Sequence, residues 1–277
     1  MKKQIKCIRN KVKDNMPLIH CITNPISINQ CANALLAIGA RPIMAEHPKE
    51  VRQITSTAQA VLLNLGNITD VRMEAMKLSL AAAKEKNIPV VLDAVGIACS
   101  DLRRNYTNEL LNIGIPEVIK GNYSEINALY CDMYSSAGVD ADEKIDIGSI
   151  DRAAMTLAEK YNTTILASGK TDIVTDGKQL IHIKNGTRQL ASVTGTGCML
   201  GSLCAAYLSQ TGILQSGGLE AAMTACVVLG ICGQLAQTDE GNGTFMVRLM
   251  DYLTTLTHGQ VDEYIAVLLY TSDAADE

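Results

Sequence analysis

Pro89-Val90-Val91-Leu92-Asp93 is a short apolar run that stops on a carboxylate. It shows no alternation of polar and apolar residues. Such a run suits a strand buried on both faces, as in a parallel sheet covered by helices. The pattern recurs along the chain. Ala60-Val61-Leu62-Leu63-Asn64 precedes it, with Gly66 close behind, while Glu117-Val118-Ile119-Lys120 and Thr164-Ile165-Leu166-Ala167-Ser168 follow. Between these runs, residues 71–86 place Met73, Met76, Leu80 and Ala83 on one helical face, and residues 122–130 and 150–161 read as further helices. Alternating strands and helices predict an α/β fold on a parallel sheet. Asp176-Gly177, between the apolar runs of residues 173–181, signals a hairpin and hence an antiparallel edge. After Gly197 the chain reads as all helical, over 198–210, 219–237 and 245–256, while the polar stretch 132–148 reads as a surface loop. No repeat or linker divides residues 1–267, which are expected to form a single domain.

Composition agrees. Of 277 residues, 47% are hydrophobic and 19% charged, as in a well-buried globular protein. With one Phe and no Trp, the core must be aliphatic. A net charge of −5, without a basic block beyond Lys2-Lys3, argues against a nucleic-acid surface. Nine cysteines are too few for a disulfide scaffold, and Cys204, Cys226 and Cys232 sit in apolar helical patterns as small hydrophobes. There is no Cys-x-x-Cys pair and only four His, so a sulfur- and imidazole-bound metal is not expected of Cys21 or Cys198. No apolar leader and no long apolar segment is visible, which leads to the expectation of a cytoplasmic protein without a membrane span. The last ten residues, Leu268 to Glu277, resemble the conceptual translation of a transposon adapter used in sequencing libraries. They are expected to be a non-native tail outside the fold.

Ligands of open α/β sheets bind at the carboxyl ends of the strands. Asp93, Lys120 and Ser168 all fall there. So does the loop Val193-Thr194-Gly195-Thr196-Gly197-Cys198-Met199-Leu200, which opens an apolar helix. Gly195 and Gly197 allow a tight turn and close approach of a ligand. The N–H groups of Gly195, Thr196, Gly197 and Cys198 would form an anion hole. Cys198 stands at the positive end of the helix dipole, where a thiolate is favoured. Phosphoryl transfer to a small alcohol needs this kind of positioning and charge stabilisation. Glu125, in the first turn of a helix opened by Asn122, could hold Mg²⁺ through water or simply answer the helix dipole. Lys120 could pair with a nucleotide phosphate or be a solvated strand end. Asn24, kept extended by Pro25, could bond a polar ligand or initiate a turn. Met44 is by default a core filler.

Together these segments resemble the hydroxyethylthiazole kinase family. The likeness is carried in order by Leu18-Ile19-His20-Cys21-Ile22-Thr23-Asn24, the run from Ala32 to Ala40, Pro42-Ile43-Met44-Ala45, Val90-Val91-Leu92-Asp93, Ile119-Lys120-Gly121-Asn122 with Glu125, and Val193 to Leu200. It extends from about Leu18 to Leu249, and its Thr-Gly-Thr-Gly-Cys loop is specific. Most members of the wider ribokinase-like superfamily carry Asp at the position of Cys198. The resemblance implies a three-layer α/β/α sandwich, ATP as phosphate donor, a Mg²⁺ requirement, and 4-methyl-5-(2-hydroxyethyl)thiazole as acceptor in thiamine salvage. It implies a thiazole site near Met44 and Gly195, and by position Lys120 and Ser168 match the family's nucleotide contacts. The residues themselves add Asn24 to the thiazole side, Asn122 to the nucleotide side, Asp93 and Glu125 to the metal, and Cys198 beside the hydroxyl as a weak base or an orienting group. It also implies a homotrimer with the thiazole site at subunit interfaces. The apolar segments 34–38 and 42–45 are expected to pack against a neighbour. The chain departs from the family pattern at Ala94, where proline is usual, at Ser168-Gly169-Lys170, and at Tyr123, which replaces a small residue.

Two other classes are open to the same residues. A hydrolase using Cys198 and His20 would need a His–carboxylate pair beside the thiol. A protein that merely binds a thiazole would have no need of Asp93, Glu125 and Cys198.

Overall fold

A computed structural model describes residues 1–135, 146–211 and 215–271. Its strands are β1 (Leu18–Ile22), β2 (Arg41–Ile43), β3 (Ala60–Asn64), β4 (Val90–Asp93), β5 (Val118–Asn122), β6 (Thr164–Ser168), β7 (Asp172–Thr175), β8 (Gln179–Ile183) and β9 (Val267–Thr271). They form one sheet in the order β2-β1-β3-β4-β5-β6-β7-β8-β9. The strands from β2 to β6 run parallel, and β7, β8 and β9 add an antiparallel edge. The Asp176-Gly177 hairpin joins β7 to β8, with Gly177 at φ +87°.

The apolar runs are unbroken because both faces are covered. On one face lie α1 (Lys2–Asn15), α2 (Ile28–Ala37), α8 (Thr196–Thr211), α9 (Gln215–Ala236) and α10 (Asn242–Thr255), sharing a core with Leu62, Val91, Val118 and Leu166. On the other lie α4 (Asp70–Glu85), α5 (Asp101–Ile113), α6 (Tyr123–Ser135) and α7 (Ile147–Tyr161), packed on Val61, Leu63, Leu92, Ile119 and Ile165. Two short helices, α3 (Val51–Thr55) and α11 (His258–Tyr264), complete the three-layer α/β/α sandwich. Successive strand residues point to opposite faces. Asn64, Asp93, Lys120, Asn122 and Ser168 therefore all belong to the α8 face, and register sets Asn64 beside Asp93 and Asp93 beside Lys120.

Some expectations change. The C-terminal part is not all helical, because β9 follows α11. The expectation that residues 268–277 stand outside the fold is corrected for 268–271, which pair antiparallel with β8. The open edge of β8 offers a row of N–H and C=O groups, and Leu268-Leu269-Tyr270 is apolar enough to lie along it. Residues 272–277 lie outside the described residues. The expected loop 132–148 is helical at its ends, and residues 136–145 lie outside the described ones. Residues 217–236 within α9 are long and apolar enough to cross a membrane, but 83% of that stretch is buried inside the sandwich, as a core helix would be.

Candidate active site

The floor of the site is the row formed by Asn64 and Asp93, which end β3 and β4, and Lys120, in the middle of β5. Lys120 Nζ lies 2.9 and 3.0 Å from the two oxygens of Asp93, and both residues are buried. Burial by itself would push the Lys120 ammonium toward neutrality, but the Asp93 carboxylate outweighs this and holds its pKa above the ordinary value. The ammonium therefore stays protonated. Asn64 Nδ2 donates to Asp93 Oδ2 at 2.8 Å and to the Cys198 sulfur at 3.4 Å. Asn24 Nδ2 donates to Asn64 Oδ1 and to the same sulfur, both at 3.2 Å.

The roof is the N-terminus of α8. Gly195 turns the chain at φ +94°, where an added Cβ would sit 3.1 Å from the Ser27 Cβ, so both conformation and space require glycine. The first backbone bond of the helix runs from Met199 N–H to Gly195 O at 2.8 Å. The N–H groups of Thr196, Gly197 and Cys198 precede it and have no carbonyl within the helix to bond. Gly197, by contrast, is helical. An added Cβ would meet only Lys120 Nζ, at 3.6 Å. Its glycine leaves open room between the helix start and the Lys120 ammonium, and is not needed for a turn. An anion in that space would meet helix-end N–H groups and a fixed positive charge together.

The rim beyond β5 and β6 is arranged differently. Asn122 Oδ1 accepts from Glu125 N–H at 2.9 Å, and Glu125 Oε2 accepts from Asn122 N–H at 2.7 Å, a reciprocal cap on α6. Glu125 Oε1 takes Gly96 N–H at 2.7 Å, which fixes the loop after β4. Ser168 Oγ donates to Gly121 O at 3.3 Å. Tyr123 lays its ring over Gly169 and donates its hydroxyl to Thr171 O, tying the β6–β7 turn to the start of α6.

The structure thus gathers Asn24, Asp93, Lys120, Gly195, Thr196, Gly197 and Cys198 at one place beneath the start of α8. Asn122, Glu125 and Ser168 frame its side. Met44 stands apart at the end of edge strand β2, half-buried against the α8-side core. His20 does not approach Cys198: Nδ1 bonds Thr55 Oγ1 and Nε2 bonds Ala45 O, each at 2.9 Å. The Cys198–His20 hydrolase has no geometric basis. The sequence reading missed Asn64. Its signal was available, since it ends an apolar strand with a polar residue just as Asp93 does.

This architecture, with a glycine turn opening a helix over the strand ends, is that of the ribokinase-like α/β proteins. A ribokinase-like superfamily protein from Enterococcus faecalis V583 superposes with a TM-score of 0.62 over 89% of each chain at 14% identity, a likeness of fold alone. The pattern of the hydroxyethylthiazole kinase family matches residues 9–259, and the chain belongs to that family. Hydroxyethylthiazole kinase 2 of Clostridium botulinum strain Kyoto is 42% identical over 274 residues, covering 95% of this chain and 99% of the relative. The solved hydroxyethylthiazole kinase protein of Pyrococcus horikoshii OT3 is 32% identical with a TM-score of 0.88, covering 98% and 100% of the two chains.

Proposed function

We infer that this protein is an ATP-dependent kinase that phosphorylates the hydroxyl of 4-methyl-5-(2-hydroxyethyl)thiazole in thiamine salvage. Family membership supports the reaction. The observation that carries the mechanism is the Lys120 ammonium lying 3.6 Å from where a Gly197 side chain would begin, under the open first turn of α8. Charge on the transferred phosphoryl group would be met from above by the N–H groups of Thr196, Gly197 and Cys198, and from below by Lys120. The acceptor oxygen attacks the γ-phosphorus and the bond to the ADP oxygen breaks; Cys198 either takes the hydroxyl proton as a weak base or orients the hydroxyl while that proton passes to a phosphoryl oxygen. A loose transition state asks only limited help from such a base.

Among the described residues no three His, Cys, Asp or Glu side chains gather to cage a metal. Mg²⁺ keeps its waters and needs only one or two carboxylates beside the substrate phosphates. Asp93 and Glu125 both act electrostatically on Lys120 and would hold the ion. When bound, Mg²⁺ would neutralise phosphate charge. Ser168 and Asn122 would line the nucleotide side, while Asn24 and Gly195 would line the thiazole side, which Met44 would complete from a neighbouring subunit.

A homotrimer that completes the thiazole site between subunits is also proposed. Ala34, Leu35 and Ile38 are taken up by the chain's own core, but Leu36 is 57% exposed and Ile26 and Val247 are each 62% exposed. Leu36 borders a groove of about 550 Å³ between α2 and α10, lined also by Asn29, Asn33, Met246 and Met250. The nine free cysteines suit a reducing cytoplasm.

The test is coupled ADP release. Turnover that requires both the thiazole alcohol and Mg²⁺ is expected, and ADP release indifferent to the alcohol would sink the reading. Light scattering should give a trimer, and a fully active 29.7 kDa monomer would remove the interface proposal.

A further inference from the structure

We propose that Asn64 is a positioning residue for the reaction: it holds the Cys198 sulfur as a hydrogen-bond acceptor and ties it to the Asp93–Lys120 ion pair. This rests on the reading of Cys198 as the group beside the acceptor hydroxyl.

The orientation of the amide is forced. Gly66 N–H donates to Asn64 Oδ1 at 2.9 Å, and a backbone N–H can only donate, so this oxygen cannot exchange places with Nδ2. Asn24 is fixed the same way, because Ser27 N–H and Ser27 Oγ both meet its Oδ1 at 3.1 Å. Both amide nitrogens must then face inward, and both donate to the one sulfur. Asn64 Nδ2 gives its other N–H to Asp93 Oδ2, so every donor of that amide is used and the group has no freedom to turn.

The consequence is chemical as well as geometric. A sulfur receiving two N–H donors has its lone pairs committed on the Asn24–Asn64 side. Any S–H bond is left to point elsewhere, and a thiolate at this place gains two donors. Asn64 is completely buried at the end of β3 and cannot touch a bulky substrate itself. Its effect on the reaction must pass through a side chain it bonds, and in this proposal that side chain is Cys198. Asn64 also contacts the ion pair, so a second route exists, through Asp93 and Lys120, and the test separates the two.

The experiment is a double-mutant cycle on steady-state turnover with the thiazole alcohol and Mg·ATP. The variants are Asn64→Leu, Cys198→Ala and the pair together, each with its affinity for a non-hydrolysable ATP analogue. Leucine keeps the branched shape at somewhat larger volume and removes both donors together with the Oδ1 acceptor of Gly66 N–H and Asn24. Asn64→Leu should lower kcat by about 10²-fold, at the low end of what a general base contributes, and change ATP-analogue affinity little. In the Cys198→Ala background the same substitution should cost under about threefold, because the group it acts through is gone. If Asn64→Leu fails to bind the analogue, Asn64→Ser takes its place in the cycle. Serine keeps one donor and should recover part of the turnover in the Cys198 background only. An equal loss in both backgrounds would overturn the proposal and give Asn64 to the ion pair or the fold. A Cys198→Ala enzyme with unchanged kcat would instead remove the underlying reading of Cys198, and the proposal with it. The two failures are told apart by the Cys198→Ala rate alone.

Discussion

Asn64 and Asn122 end neighbouring parts of the same sheet, on the same face, yet they do opposite things. The amide of Asn64 looks at other side chains, Asp93, Cys198 and Asn24. The side chain of Asn122 is turned onto the backbone of its own helix, where Glu125 answers it. The floor beneath α8 is a network of polar side chains facing one another. The rim beyond β5 is a set of polar side chains stitched to backbone. A network of the first kind fixes reacting groups, and its loss shows in rate. Stitches of the second kind fix loops, and their loss shows first in stability.

The hardest test of this contrast is Lys120→Met. It leaves the Asp93 carboxylate buried without its counter-ion, which costs about 3–5 kcal/mol, and it removes the positive charge beneath the start of α8. Melting temperature and kcat should both fall steeply. In the double variant Asp93→Asn with Lys120→Met, the melting temperature should recover while turnover stays lost. Recovery of both together would mean that the floor is only structural.

A smaller effect is expected on the rim. Glu125→Ala removes the acceptor of two backbone N–H groups, Gly96 and Asn122, and should cost about 1–2 kcal/mol in urea unfolding. Glu125→Gln can rebuild one of the two bonds, because its amide has a single acceptor oxygen, and should recover only part of the stability. If the carboxylate also holds Mg²⁺, Glu125→Gln should raise the Mg²⁺ concentration needed for half-maximal rate. An unchanged Mg²⁺ requirement would reduce Glu125 to a cap and sharpen the division between floor and rim.

The smallest effect concerns His20, a stitch of the second kind. Its imidazole holds Ala45 O, next to Met44, and burial lowers its pKa below the ordinary 6.5 against the pull of that carbonyl and of Glu50. The unfolded chain binds a proton there more readily than the folded one. The stabilisation is therefore full above pH 6.5 and is lost as pH falls through the lowered folded value. Compared with His20→Asn, the wild-type advantage in melting temperature should shrink from pH 8 to pH 5. A gap that stays constant over that range would show that the imidazole does not have to remain neutral in the fold.

Much of this was legible in advance. The unbroken apolar runs ending at Asn64, Asp93, Lys120 and Ser168 announced a parallel sheet, because burial on both faces leaves few polar residues before the carboxyl ends of the strands. The Asp176-Gly177 turn announced the antiparallel edge. Glu125 and Asn122 were legible as helix-start residues, with ligand roles standing beside that reading, and the structure gives both their helix-cap partners. Asn64 was passed over because asparagine at a strand end is as often a turn residue as part of a site. Only the register that sets it beside Asp93 tells the two apart. The roles of the loop glycines were not separable either. Gly195 turns the chain, and Gly197 leaves space over Lys120. The strand formed by residues 268–271 depended on an edge that only the assembled sheet offers.

The sequence by itself determined the layers, the direction of the central strands and the polar residues that cluster toward their carboxyl ends, because these follow from local periodicity and from where apolar runs must stop. Tertiary structure alone decided which polar side chain faces which. It turned Asn64 toward Cys198 and Asn122 toward its own helix, and locked His20 against Ala45, away from the thiol. Those choices depend on hydrogen bonds between segments far apart in the chain, such as Asn24 or Asn64 with Cys198 and Gly96 with Glu125, and no local pattern encodes a partner that distant.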